Sequence, residues 1–403
     1  MMGIVLVAGG GIGGLATALA VAARGHRVRV LERSAEFTEL GAGIQLAPNA
    51  FHALDLLGVG ERVRARAVHI DELRFMDGTT GERVASMPLD EGYRRRFGGP
   101  YAVVHRSDLY QPLLDACREV PEIELCAGSP VAHYEQDAAG VTAVLESGER
   151  HVGDVLVGAD GIRSTIRAHV VGDGEPKVSG HTIYRCLIPM ERVPRELRWN
   201  AVTLWAGPKW HFVHYPIASG AFLNLAATRD DGAAQAVSGV PVATDVVRGE
   251  FDGLSDVARD LLHLGDGWRT WVLCDRDPVD EWVDGRVVLM GDAAHPMLQY
   301  AAQGACTALE DAVVLGAMLG GVGADVPARL RAFTRARRDR TARAQWVARQ
   351  MGLRLYHPAG EDARARNAML RSLTVSDLYD KVEWLHGARD FATPPPVMHG
   401  APM

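Results

Sequence analysis

Three glycines near the start of the chain have a spacing that suits phosphate binding: Gly9, Gly11 and Gly14 form GxGxxG. The first glycine permits a tight turn, the second lets a pyrophosphate approach the backbone, and the third lets a helix pack closely on a strand. Glu32 follows about twenty residues on, where a carboxylate accepts hydrogen bonds from ribose hydroxyls. With Glu32 and the adjacent Arg33, the motif predicts a dinucleotide site, and it does not distinguish NAD from FAD.

A second group of candidate side chains lies in residues 210–216, WHFVHYP. Side chains alternate along a strand, so His211 and Tyr215 share one face and can converge on one ligand, whereas His214 points to the other face. A neutral imidazole near pH 7 can accept a proton or a hydrogen bond. From residue type alone, a histidine satisfied within the core is the commoner role, so both interpretations of His211 stay open at this point.

The elements that must position these groups follow from the hydrophobic pattern. Residues 3–8 are an apolar run that predicts a buried strand, residues 15–23 predict a helix ending at Arg24 and Gly25, and residues 28–31 predict a second strand. A strand, a helix and a strand in this order imply a parallel sheet. The GxGxxG motif would then lie between the first strand and the first helix.

Later segments show a different pattern. Short, partly alternating runs predict an antiparallel sheet and occur at residues 182–190, 202–205, 210–215 and 222–227. Residues 284–290 again predict a buried strand and residues 304–319 a helix, so the chain returns to the first sheet. A long, arginine-rich helix over residues 327–351 is expected to be a solvated basic helix packed on one side. The proline-rich residues 393–396 predict a loose tail.

Composition excludes several classes of protein. The 403 residues favour two closely packed domains. A net charge of −7 argues against nucleic-acid binding, which needs clustered positive charge. Five scattered cysteines without a CxxC pair argue against a disulfide framework or a metal site. The N-terminal apolar run is too short to cross a membrane and lacks a cleavage site, so we expect a cytoplasmic protein.

Two further motifs complete a set of three. Residues 158–161 read GADG and contain Asp160; residues 287–296 read VVLMGDAAHP and contain Asp292. Asp292 follows a predicted buried strand and can accept a hydrogen bond from a ribityl hydroxyl, although a turn or helix-capping aspartate is the alternative. With these three motifs in this order, the sequence resembles the class A flavoprotein aromatic hydroxylases, which include p-hydroxybenzoate and salicylate hydroxylases.

The resemblance implies a set of cofactor contacts for FAD. Asp292 would contact FAD, Asp160 would position both FAD and the nicotinamide, and Arg106 would reach the flavin. Gly43 and Gln45 match the loop that runs beside the isoalloxazine. The helix that begins at Gly304 and Ala305 would point its N-terminus at the flavin pyrimidine edge, where its dipole would stabilise negative charge on reduced flavin.

Finer resemblance points to the branch of this family that converts 3-hydroxybenzoate to gentisate, and it assigns His211, Tyr215 and Gln299 to the substrate pocket. His211 would be the base or hydrogen-bond acceptor for the phenol, Gln299 would orient the substrate, and Tyr215 would fix its carboxylate or hydroxyl. The reaction implied uses NADH, or NADPH, and O₂ through a flavin C4a-hydroperoxide. Met297 is typical of salicylate-hydroxylase-like members instead.

Other functions stay open from sequence alone. Within enzymes they are hydroxylation of salicylate, of 6-hydroxynicotinate or of a larger aromatic metabolite. From another class, the chain could be a flavin-binding regulator or electron-transfer module that does not oxygenate, or a non-flavin NAD dehydrogenase. The polar side chains that converge in the predicted pocket argue against a plain flavin scaffold.

The expected fold is α/β, with a Rossmann-like FAD-binding domain built on a parallel sheet, interleaved with a mainly antiparallel substrate domain and followed by a helical region. We assign residues 1–175 and 281–325 to the FAD-binding domain, 176–280 to the substrate domain and 326–403 to the helical region and tail. The expected partners are a small aromatic acid, NAD(P)H and O₂, without nucleic acid or membrane insertion. A homodimer is the family expectation.

Overall fold

A computed structural model describes residues 3–38, 41–320 and 325–391. The predicted tail at residues 393–396 lies outside these ranges. The strands are β1 Ile4–Ala8, β2 Arg27–Leu31, β3 Gly43–Leu46, β4 Val68–His69, β5 Glu72–Asp77, β6 Arg83–Pro88, β7 Ala102–His105, β8 Ile123–Cys126, β9 Val131–Gln136, β10 Val141–Leu145, β11 Arg150–Gly153, β12 Val155–Gly158, β13 Lys177–Pro189, β14 Ala201–Gly207, β15 Trp210–Ile217, β16 Phe222–Ala233, β17 Ser238–Pro241, β18 Arg269–Asp275, β19 Val283–Asp284 and β20 Val287–Leu289.

The α-helices are α1 Ile12–Ala22, α2 Pro48–Leu56, α3 Gly60–Arg64, α4 Glu91–Phe97, α5 Arg106–Glu119, α6 Thr165–Val170, α7 Thr244–Glu250, α8 Asp256–His263, α9 Gly304–Leu319, α10 Val326–Gln350, α11 Gly360–Ser372 and α12 Val375–His386. A π-helical turn, Met351–Tyr356, continues from α10. None of the helices in the described ranges has the length and apolar character that a membrane span requires.

A six-stranded sheet carries the glycine motif, in the order β19-β20-β12-β1-β2-β8. Strand β1 pairs in parallel with both β2 and β12, which confirms the predicted unit. Helix α1 begins at Ile12, three residues before the predicted start at residue 15. The close approach of Gly14 to the backbone of Gly9 explains the difference, because that packing offsets the weak helix propensity of glycine.

A second sheet confirms the predicted antiparallel strands and has eight strands in the order β17-β18-β13-β16-β15-β14-β5-β6. Its pairs are antiparallel except for β14 with β5. Strands β5 and β6 come from the part of the chain that precedes residue 175, so chain segments from both sides of the predicted boundary build this sheet. Mainly antiparallel pairing leaves one face of β15 free to line a cavity.

The strand predicted at residues 284–290, where the chain returns to the first sheet, is shorter in the structure. Residues 284–290 are not one strand: β19 and β20 form an antiparallel hairpin around Gly285, whose φ of 55° lies in the left-handed region. Strand β20 joins the parallel sheet beside β12. Helix α9 then spans the predicted residues and packs against α1, so the N-termini of both helices open onto the same space.

Helix α10 follows its predicted bounds, but the expectation of a solvated basic helix is wrong at two positions. Arg337 and Arg340 are buried, with 0% and 3% of their surface exposed. Arg337 donates to Asp311 Oδ1 at 2.7 Å, and both arginines reach Glu310. Burial of these cations is possible because two carboxylates on α9 compensate them, a pairing between distant helices that the local pattern does not show.

Candidate active site

Most of the predicted site residues line a cavity of about 1310 Å³. Its wall includes the N-termini of α1 and α9, strand β3, one face of β15, and the π-helical turn with α11 and α12. A space of this size can hold a cofactor ring and a small aromatic molecule together. The wall thus combines glycine-rich backbone with titratable side chains.

The glycine motif forms a bare backbone cradle at one end of the cavity. A Cβ at Gly9 would lie 2.4 Å from the Ala159 carbonyl oxygen, and one at Gly14 would lie 1.9 Å from the Gly9 carbonyl oxygen. A Cβ at Gly11 would meet nothing within 4 Å, so the space beside it is open. Helix α1 has neither a side-chain cap nor an acidic residue in its first turn. Its N–H groups fit the phosphates of a dinucleotide.

Glu32 and Arg33 do not line the cavity. The Glu32 carboxylate accepts hydrogen bonds from the backbone nitrogens of Gly10 at 2.7 Å and Ser34 at 2.8 Å, which ties the glycine turn to the end of β2. Carboxylate oxygens keep further acceptor capacity for a ribose. Arg33 is exposed, and its predicted cofactor contact has no support from this geometry.

Asp160 acts within the protein rather than in the cavity wall. It accepts hydrogen bonds from Ser164 Oγ at 2.5 Å and from the backbone nitrogen of Ile166 at 3.2 Å, and burial raises its pKa. Arg167, which is fully buried, donates to the carbonyl oxygens of Ala293 and Ala294 at 2.9 and 2.6 Å. The helix that follows the second motif, α6, therefore holds the third motif in place.

The third motif presents Asp292 to the cavity. Gly291 has a φ of 53°, which favours glycine, and its N–H donates to Asp311. Burial raises the pKa of the Asp292 carboxyl, and the charges of His295 and Arg106 offset this rise only in part. Arg106, Gly304 and Ala305 lie in the same wall. This end combines a carboxylate, a guanidinium and a helix N-terminus, a donor and acceptor set that fits a flavin with its ribityl chain.

The segment at Gly43 and Gln45 is strand β3, so its description as a loop is wrong. It pairs with β7, and this long-range pairing stabilises an extended backbone that has no local strand signal. A Cβ at Gly43 would lie 2.4 Å from the ring of Tyr215, so only glycine fits there. Gln45 Oε1 accepts from Tyr101 Oη at 2.6 Å. Both residues line the cavity.

Strand β15 has the predicted alternation. His211 and Tyr215 line the cavity together with Gln299. His214 points away and packs against Trp205, with ring centroids 6.3 Å apart. Burial, with the neighbouring imidazoles, holds the pKa of His211 well below its usual value, so the ring is neutral near pH 7. Burial raises the pKa of Tyr215 to about 12, so its hydroxyl keeps its proton.

Sequence reasoning missed two residues of the site. Arg185, on β13, lies in the cavity wall, and its Nη2 donates to Gln299 Oε1. Within the described ranges Arg185 forms no ion pair with a carboxylate, and burial lowers its pKa. His357 contacts His211 from the end of the π-helical turn. A charged residue inside the partly apolar run 182–190 was the available signal for Arg185, whereas nothing local marks His357.

Comparisons with known proteins agree with this architecture. The sequence profile of the FAD binding domain family matches residues 3–188 and 254–349. The chain is 49% identical to 3-hydroxybenzoate 6-hydroxylase 1 of Aquipseudomonas alcaligenes, over 95% of this chain and 97% of the relative. It is 43% identical to 3-hydroxybenzoate 6-hydroxylase of Polaromonas naphthalenivorans, over 95% of both. The crystal structure of Klebsiella pneumoniae HpxO complexed with FAD and uric acid is 26% identical, with a TM-score of 0.82 over 97% of both chains.

Proposed function

The chain belongs to the FAD-dependent aromatic hydroxylases, and from this membership we propose that it hydroxylates 3-hydroxybenzoate at ring carbon 6. In the balanced reaction, 3-hydroxybenzoate, O₂, NADH and one proton give gentisate, NAD⁺ and water. The two 3-hydroxybenzoate 6-hydroxylases named above support the choice of substrate. NADH as the preferred reductant, a homodimer and a cytoplasmic location remain predictions.

The observation that carries this proposal is Arg185 in the same cavity wall as His211. A guanidinium without a carboxylate partner in the described protein is matched by an anionic ligand, and planar carboxylates bind guanidinium groups through paired hydrogen bonds. A neutral imidazole nearby can accept a proton or a hydrogen bond from a phenol. Together the two side chains fit one ring that carries a carboxylate and a hydroxyl group.

The cofactor end of the cavity would hold FAD. Bound FAD would supply the redox chemistry that couples oxidation of NADH to activation of O₂. The N-terminus of α1 with Gly11 would hold its phosphates, and Asp292 would accept from a ribityl hydroxyl. The N-terminus of α9 at Gly304 and Ala305 would stabilise negative charge on the ring.

The substrate end of the cavity would orient and activate the phenol. Gln299, held by Arg185, would present its amide to the substrate carboxylate. His211 would accept the phenol proton, which makes the ring carbons ortho and para to that oxygen more electron-rich. Tyr215, whose hydroxyl keeps its proton, would donate a hydrogen bond to the carboxylate or the hydroxyl group of the substrate. The apolar part of the wall would exclude water from the reacting groups.

A substrate series tests the proposal directly. Purified holoenzyme is mixed with NADH and with 3-hydroxybenzoate, salicylate, 6-hydroxynicotinate or benzoate, and NADH oxidation, O₂ uptake and products are followed. We expect gentisate in equal amount to the NADH consumed with 3-hydroxybenzoate, and no product from benzoate, which lacks the phenol. Efficient product formation from salicylate or 6-hydroxynicotinate with none from 3-hydroxybenzoate would reject the proposed substrate.

A further inference from the structure

We infer that His357 and Asp230 relay the phenol proton from His211 to the protein surface, an inference that rests on the proposed function. His211 is buried, with 2% of its surface exposed. The groups behind it form a polar path away from the cavity, in which one separation of up to 4.8 Å can be bridged by water. The path runs through two more histidines to a carboxylate at the surface.

The first link is a hydrogen bond between two imidazoles. Nδ1 of His211 lies 2.8 Å from Nε2 of His357, and the rings are stacked with centroids 5.1 Å apart. Since Nδ1 is engaged by His357, Nε2 is the nitrogen of His211 that can face a ligand in the cavity. His211 can therefore accept a proton at Nε2 while it passes another from Nδ1 to His357.

The second link joins His357 to a small polar cluster. Side-chain nitrogen or oxygen atoms of His181, Asp230 and His357 all lie within 4.8 Å of one another, a separation that one water molecule can bridge. His181 is held by Tyr300, whose Oη lies 2.5 Å from its Nδ1. The other nitrogen of His181, Nε2, lies 3.9 Å from Asp230 Oδ1. The cluster thus has one imidazole fixed by the protein and one carboxylate beside it.

The path ends at the surface. The Asp230 side chain is 35% exposed, whereas His211 has 2% of its surface exposed. The backbone fixes both ends of this segment, because Lys209 N donates to His357 O at 3.0 Å and Asp230 N donates to Lys209 O at 2.8 Å. The π-helical turn that precedes His357 is a distortion that frequently occurs at functional sites.

The charge states suit transfer rather than storage of a proton. Burial lowers the pKa of His357 to about 3 and also lowers the pKa of His181. The groups that face His357 are His211, His181, Tyr300 and Asp230, and the histidines among them are neutral near pH 7. A proton that enters such a row of neutral imidazoles is driven onward to water.

The phenol O–H bond breaks and a new N–H bond forms at His211 Nε2. The His211 Nδ1–H bond breaks and an N–H bond forms at His357 Nε2, and the proton on His357 Nδ1 passes through the cluster of His181 and Asp230 to bulk water. One proton leaves the substrate, one enters the solvent, and no electrons are exchanged.

Proton release on substrate binding tests this path without turnover. Oxidised holoenzyme is mixed with 3-hydroxybenzoate in weakly buffered solution with a pH indicator, in a stopped-flow instrument. We expect His357→Gln, which keeps a hydrogen-bond partner for His211 but cannot relay a proton, to slow release about a hundredfold, as loss of a positioned proton-transfer group does. Asp230→Asn should also slow proton release. Asp245→Asn, with a side chain that is 95% exposed, is the matched control.

A second variant separates relay from a packing role. His357→Ala leaves space for added imidazole, which should restore proton release in this variant and leave the wild-type rate unchanged. FAD content and thermal unfolding establish that each variant is folded. If the wild type forms gentisate and His357→Gln releases the proton at the wild-type rate, the relay is wrong and the proposed function stands. If the wild type neither binds nor hydroxylates 3-hydroxybenzoate, the proposed function fails and the relay with it.

Discussion

Asp311 and His295 are joined by a hydrogen bond of 2.5 Å between Oδ2 and Nε2, and both side chains are almost completely buried. The same carboxylate oxygen accepts the N–H of Gly291 at 3.0 Å, and Oδ1 accepts from Arg337. Burial raises the pKa of the Asp311 carboxyl, but the charges of His295 and Arg337 outweigh burial and bring it to about 2. One carboxylate on α9 therefore fixes both ends of the turn that carries Asp292.

We predict that Asp311→Asn lowers both stability and FAD content. The amide cannot balance the charge of Arg337, and loss of one partner of a buried ion pair costs about 3 to 5 kcal/mol. Denaturant unfolding gives the change in free energy, and flavin absorbance per protein gives the FAD content. Asp280→Asn, whose side chain is 88% exposed, serves as control and should leave both unchanged. Wild-type values in Asp311→Asn would show that the turn is held by other contacts.

Substitution of Arg185 should weaken binding of the substrate carboxylate. Without the guanidinium, Arg185→Leu should raise KM for 3-hydroxybenzoate about 30-fold, which corresponds to about 2 kcal/mol for the loss of one buried charged partner. Affinity for 3-hydroxybenzyl alcohol, which lacks the carboxylate, should change little. Arg192→Leu, at an exposed arginine, is the control. An equal loss of affinity for the acid and the alcohol would assign Arg185 a packing role.

Much of this site follows from local pattern, and the rest depends on contacts between distant segments. Alternation along residues 210–216 correctly separates His211 and Tyr215 from His214, because strand periodicity is a local property. The bounds of α9 are equally local. The burial of Arg337 is not, since its carboxylate partners lie on another helix, 26 and 27 residues away. His357 reaches His211 through a π-helical turn that no periodicity predicts.

Acid should destabilise the protein partly through His214. This ring is buried among Trp199, Trp205 and Phe212, and burial, followed by the charge of Arg74, lowers its pKa to about 3. In the unfolded chain the ring binds a proton near its ordinary pKa of about 6.5, so folding stability falls as pH drops below that value.

Between pH 7.5 and 5.0, His214 alone should reduce the free energy of unfolding by about 2 kcal/mol. Urea unfolding of the wild type and His214→Phe at both pH values isolates this contribution, because the other buried histidines titrate equally in both proteins. We expect the variant to lose about 2 kcal/mol less than the wild type over this interval. An identical loss in both proteins would mean that folding does not lower the pKa of His214.

Two alanine substitutions in the glycine motif separate cofactor binding from folding. Gly11 has φ −74° and ψ −174°, a conformation that alanine adopts freely, and its Cβ would meet no protein atom within 4 Å. Gly11→Ala should therefore keep the unfolding free energy of the FAD-free protein within about 0.5 kcal/mol of the wild type. Its affinity for FAD should fall at least about tenfold, or 1.4 kcal/mol, because the methyl group occupies the space assigned to the pyrophosphate.

Gly14→Ala should instead lower the stability of the protein itself. Its Cβ would lie 1.9 Å from the Gly9 carbonyl oxygen, so the backbone must shift and the FAD-free protein should lose about 1 to 3 kcal/mol, as overpacked sites do. Unfolding of both FAD-free variants and titration with FAD, followed by quenching of flavin fluorescence, measure the two effects separately. Wild-type FAD affinity in Gly11→Ala would show that the pyrophosphate binds elsewhere, because a methyl group at this position would obstruct a pyrophosphate bound beside it.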